Sequence, residues 1–144
     1  MPSYYPVSVT SATLALNAST HSGVTVVANR AAGITMTLPA ATGSGAEYEV
    51  VVGTAITSNN LVIQVANASD VMSGACYMAQ DAADTAVAFE TGATDDTITM
   101  NGSTKGGLKG DRIRLKDVAT NLWSVQVFAA GTGTEASPFS AAVS

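Results

Sequence analysis

The chain has 144 residues, 47% of them nominally apolar, with 6 Lys and Arg against 11 Asp and Glu and a net charge of −5. This length admits one domain with a single core, and so sparse and negative a charge gives no long-range attraction to DNA or anionic lipid. A lone Cys76 excludes an internal disulfide, and one His beside one Cys leaves zinc-type sites and Cys/His dyads nothing to recruit.

Residues 1–10 hold two Pro and two Tyr without strong strand pattern and read as an N-terminal arm. From residue 11 to 130 apolar side chains recur with period two, the mark of half-buried strands. In chain order these are Leu14 to Leu16, Val24 to Ala28, Ile34 to Leu38, Tyr48 to Val52, Leu61 to Val65, Val71 to Ala79, Ala86 to Glu90, Ile98 to Met100, Ile113 to Leu115 and Trp123 to Val127. Gly43-Ser44-Gly45, Ser58-Asn59-Asn60, Asn101-Gly102 and Gly106-Gly107 supply turn residues between them. The expected fold is a single antiparallel all-β sandwich or barrel, jelly-roll-like, of about nine or ten short strands. Sequential strands pair, and at most one short helical turn falls near Gln80 to Thr85. Trp123, Val125 and Val127 face the core opposite Ile113 and Leu115 in a hairpin. Residues 131–144, rich in Gly, Ser and Ala and holding Pro138 and Phe139, form a C-terminal arm.

Of the apolar residues 25 are Ala, while Leu, Ile, Val and Phe number only 31. Such a core offsets ordering entropy narrowly, so burial between subunits is expected, in a symmetric oligomer taken to be a trimer. Residues 1–20 show no basic n-region followed by an apolar run, and no segment reaches the roughly 18 apolar residues of a membrane helix, so neither secretion nor membrane insertion is expected.

Candidate chemistry is thin, and no enzyme activity, cofactor or metal is expected. Adjacent His21 and Ser22 point to opposite faces of an extended chain, and His21 reads as a loop residue. Glu47 and Glu49 share one strand face at near glycosidase spacing, but Tyr48, Val50 and Val52 claim the other face for the core and leave both glutamates solvated. Asp95 and Asp96 lack the alternating acidic loop that closes around calcium. NGSTKGGLKGD, residues 101–111, does not match a phosphate loop and precedes a strand, so it reads as a hairpin or bulged turn. In DRIRLKD the basic residues Arg112, Arg114 and Lys116 fall on one face, as an edge guard or as a contact for an acidic neighbour. Asp70, Asp81, Asp84, Glu90, Asp95 and Asp96 lie in a stretch without Lys or Arg, which suggests one acidic surface and one basic.

GITMTLPAATGSGAEYEVVVGTAITSNNLVIQVANASDVMSG, followed by DDTITMNGSTKGGLKGDRIRLKDV, LWSVQVF and GTGTEASPFS, resembles the head decoration, or capsid cement, proteins of tailed phages. The resemblance runs from about Gly33 to Ser140. It implies a structural virion protein, made in the bacterial cytoplasm, that binds the outside of the capsid. There it bridges neighbouring major capsid subunits, often as a trimer, with no catalytic residues and no nucleic-acid or membrane partner. On the bottom-up reading the partner contacts are Tyr4, Tyr5, Arg112, Arg114, Lys116 and Phe139. The alternative is a receptor- or glycan-binding module of a tail fibre or tail tip, marked by exposed aromatics at Tyr4, Tyr5, Tyr77 and Phe139.

Overall fold

The computed structural model describes residues 5–143. Among them the chain is nearly all β, with twelve strands and one four-residue helix. The elements are β1 (Val7–Val9), β2 (Thr13–Ala15), α1 (Ala18–His21), β3 (Thr25–Ala28), β4 (Ile34–Thr37), β5 (Glu47–Val52), β6 (Leu61–Gln64), β7 (Val71–Gln80), β8 (Ala86–Glu90), β9 (Thr97–Met100), β10 (Arg112–Ala119), β11 (Leu122–Gly131) and β12 (Phe139–Ser140). They form a seven-stranded sheet in the order β1-β3-β5-β10-β11-β7-β8 and a five-stranded sheet in the order β12-β9-β6-β4-β2.

Both sheets are mixed, which corrects the expected sequential antiparallel pairing and the count of nine or ten strands. From β1 to β6 the chain alternates between the sheets, so β1, β3 and β5 run parallel in one and β2, β4 and β6 parallel in the other. Residues 38–46 and 53–60 are longer than the two to five residues of an ordinary hairpin and long enough to cross the roughly 10 Å between stacked sheets, and the shorter links 10–12 and 29–33 change sheet as well. The strands GITMTLP and EYEVVVG, expected side by side, therefore lie in different sheets as β4 and β5. The β10–β11 hairpin is as expected: Ile113 faces Val127 and Leu115 faces Val125 across it, closed by a two-residue link in which Asn121 takes φ 62°.

The segments read as arms each contribute a strand to the chain's own sheets, β1 beside β3 and β12 beside β9. The helical turn lies at Ala18–His21 and not near Gln80 to Thr85. Asn17 caps it by accepting from the Thr20 amide at 2.9 Å. Gln80 and Thr85 instead clasp the β7–β8 link, backbone to backbone at 3.0 Å and side chain to side chain at 2.7 Å.

Inward residues of both sheets join one hydrophobic cluster, with Tyr48, Met36, Ile63, Met72, Met100 and Trp123 among its largest members. Alternation decides which residues enter: β10 reads exposed, buried, exposed, buried from Arg112 onward, and β11 continues the same phase from Trp123. At Gly74 of β7 an added Cβ would collide with the Val125 carbonyl of β11, so glycine is what lets these parallel strands approach there.

Candidate functional site

The residues that hinted at catalysis are occupied by structural tasks. His21 is buried at the end of α1, not in a loop, and its Nδ1 accepts from the Asn17 amide at 3.0 Å. Glu49 lies 3.3 Å from Arg114 Nε and 3.8 Å from Arg112 Nε and accepts from Thr25 Oγ1, so the acidic neighbour of the basic stripe belongs in part to this same chain. These pairs are largely exposed and contribute at most about 1 kcal/mol each. In the 101–111 loop Asn101 Oδ1 accepts from the amides of Ser103 and Lys105, and Asp111 from those of Gly107, Leu108 and Ala130. That loop holds itself, with the amides of Ser103, Lys105, Gly107 and Leu108 taken up inside it.

Four aspartates are buried, and each ties down a loop. Asp70 accepts from the Ala41 amide, and Asp96 from the amides of Ala142 and Val143. The expected acidic surface is thereby reduced, because Asp70 and Asp96 point inward. Asp95 accepts from the Gly92 amide. At Asp111 burial outweighs the three amide bonds and raises the carboxyl above its ordinary value. At Asp117 burial pulls the same way, but Ser44 Oγ and the amides of Thr42, Gly43 and Ser44 outweigh it and hold the carboxyl below the ordinary value. The loop PAATGSG between β4 and β5 is thus wrapped around one carboxylate of β10. Cys76 is inert, buried among apolar neighbours and close to Asp111, its thiol pushed up to about 12.

Beside Asp117 lies a pocket of about 240 Å³ lined by Leu16, Pro39, Ala46, Tyr48 and Trp123 among others. Tyr48 Oη and Trp123 Nε1 are both buried without a hydrogen-bond partner among the described residues, and burial and then the Asp117 charge raise the Tyr48 phenol. A buried hydroxyl that has lost water and gained nothing costs stability. Tyr48→Phe is therefore expected to leave the melting temperature unchanged or raise it, by up to about 1 kcal/mol of stability. A thermal melt checks this, and a clear loss would mean that a bound water or ligand satisfies the hydroxyl.

The outer face of the seven-stranded sheet is the most distinctive surface. Strand pairing sets Ala88, Tyr77, Phe128, Arg112, Val51, Val27 and Ser8 in one row across all seven strands. Tyr77 is 53% and Phe128 51% exposed, and their rings stack with centroids 5.9 Å apart and planes 21° apart. Arg114 and Lys116 extend the face along β10, and Lys109 stands near the aromatic pair across a shallow hollow of about 440 Å³.

Of the residues expected to meet a partner, Arg112, Arg114 and Lys116 share this outer face. Tyr4 lies outside the described residues, and Tyr5 is 84% exposed just before β1. Phe139 is 7% exposed in the core cluster, so its ring is not presented to a partner. Tyr77, expected as an exposed aromatic, sits exposed within β7. Phe128 was missed, although alternation from Trp123, Val125 and Val127 points it outward. No family model, no curated protein and no solved structure matches the chain.

Proposed function

We propose that the chain is a structural virion protein that docks on the outside of a phage capsid through the outer face of its seven-stranded sheet and reinforces the shell by bridging major capsid subunits. The observation that carries this is the half-exposed, stacked Tyr77–Phe128 pair beside Arg112. Paired aromatics next to an arginine are the side chains that dominate protein–protein contacts. The resemblance to capsid cement proteins supplies the partner. The economy of acids supports a protein that binds without chemistry, because Asp70, Asp96, Asp111 and Asp117 are engaged in holding loops.

The test is to add the parent chain or the Tyr77→Ser/Phe128→Ser double variant to particles that lack the protein. Binding is expected to weaken at least ten-fold in the variant, as loss of central aromatic anchors does, and the temperature of DNA release is expected to fall back toward that of bare particles. Equal binding and equal release temperature would overturn the proposal. The same ring pair, with Lys109 and Arg112 near it, favours a second reading, a glycan-binding module of a tail fibre or tail tip. That reading predicts that host surface polysaccharide, and not capsid, binds the parent and loses affinity for the double variant.

A further inference from the structure

A chain with one docking face grips one place, whereas bridging requires two. The seven-stranded sheet ends at β1 and β8, and the five-stranded sheet at β2 and β12. Three of these edges are two or three residues long, and β1 follows Pro6 directly. Short edges and proline discourage pairing with another chain. β8, Ala86-Val87-Ala88-Phe89-Glu90, is the exception: five residues without Lys, Arg, Pro or Gly.

The ladder to β7 fixes which β8 groups are free. Gln80 N–H donates to Thr85 O at 3.0 Å and Thr91 N–H to Gly74 O at 3.1 Å. In an antiparallel ladder every second residue turns its N–H and C=O to the same neighbour. Residues 85, 87, 89 and 91 therefore face β7, and Ala86, Ala88 and Glu90 present theirs at the open edge. All three are exposed.

We infer that β8 pairs with β8 of a second copy, antiparallel about Ala88, to form one continuous fourteen-stranded sheet. The strand is self-complementary in this register. Ala88 meets its own copy, and Ala86 meets Glu90 at each side, giving about six backbone hydrogen bonds from groups that have no other strand partner among the described residues. On the inward face Val87 meets Phe89 twice, a β-branched and aromatic pairing that stabilises strands. Both side chains are only partly covered against the core and gain cover. The single acid in the strand faces alanine, so like charges do not meet.

The two-fold axis of such a pair is perpendicular to the sheet, so both outer faces point the same way and present two Tyr77–Phe128 pairs to one surface. This consequence rests on the proposed docking face; the pairing itself does not. Two faces on one rigid sheet would raise attachment by factors of about 10² to 10⁴ over one. The pair is two-fold, in contrast to the trimer expected from the sparse large apolar residues.

The register can be read directly with an introduced thiol. Residues paired through two hydrogen bonds have Cα atoms about 5.5 Å apart, within disulfide range. Ala88→Cys is therefore expected to oxidise to a disulfide-linked dimer, with the buried Cys76 taking no part. Ala86→Cys is not, because its two copies lie four positions apart along the strands, on the order of 13 Å. In parallel, sedimentation of the parent should show mass rising toward twice the 14.4 kDa chain mass as concentration increases. Ala88→Lys, which sets two ammonium groups opposite each other, and Ala88→Pro, which removes only an N–H at the free edge, should weaken pairing at least ten-fold, with unchanged melting at concentrations low enough that the parent is monomeric. Tyr77→Ser/Phe128→Ser should leave pairing intact even where it abolishes capsid binding. The inference is overturned if the parent stays monomeric at hundreds of micromolar, if both thiol variants cross-link equally or not at all, or if the oligomer survives Ala88→Lys and Ala88→Pro.

Discussion

Trp123→Ala is expected to lower stability by about 3 to 5 kcal/mol and to make soluble protein scarce. Trp123 is 1% exposed, lies opposite Asp117 on β10 and Met72 on β7, and leans against Tyr48 with ring centroids 5.9 Å apart at 50°. Truncation would remove the largest side chain of the cluster and merge its space with the 240 Å³ pocket that it already lines. The indole N–H has no partner among the described residues, so the expected effect comes from lost burial and contacts. Against a typical total of about 5 to 15 kcal/mol, that is roughly a fifth or more of the stability of the chain. The melting temperature should fall by on the order of 10 °C. A variant that melts within a degree or two of the parent would show that the ring does not hold the two sheets together.

What the sequence made legible was the side of each strand, and what it hid was the neighbour. Period-two alternation fixed the inward residues of β4, β5, β6, β9, β10 and β11, because a pleated strand next to a core leaves no other choice. Neighbours depend on links, and Gly-Ser-Gly between β4 and β5 looks the same whether the chain turns back in one sheet or crosses to the other. Link length does not separate the two either, since links of three, five and nine residues all change sheet in this chain. β1 and β12 were hidden for a related reason: at three and two residues they are too short to show a period. The docking face was half legible. RIRLK announced its basic stripe, while Tyr77 and Phe128 come from β7 and β11, far apart in sequence, and only their parallel register makes them a stacked pair.

Asp117→Ala is expected to release the 39–45 loop and to cost about 2 to 4 kcal/mol at neutral pH. The carboxylate accepts from three consecutive amides at 2.7 to 3.2 Å and from Ser44 Oγ at 2.7 Å, and it is buried. Hydrogen bonds to a charged group contribute about 1.5 to 3 kcal/mol each but are not additive, and amides left facing alanine would recover some bonds from water that enters. The pH dependence separates this mechanism from simple loss of packing. In the folded chain Asp117 holds its proton less tightly than in the unfolded chain, where its value is near 3.8. Its stabilising contribution is therefore complete above that value and is lost as pH falls through the lower, folded value. Asp111 has the opposite sign: its raised carboxyl costs stability where it is charged, and that cost is relieved as pH falls through its folded value toward 3.8. The parent should accordingly hold or gain stability on mild acidification and lose it below about pH 4. Asp117→Ala should start lower at pH 7 and show a shallower loss below about pH 4, so that parent and variant converge in strong acid. Denaturant melts from pH 7 down to about 2.5 would measure this, and two curves that stay parallel over the whole range would show that the carboxylate charge is not what holds the loop.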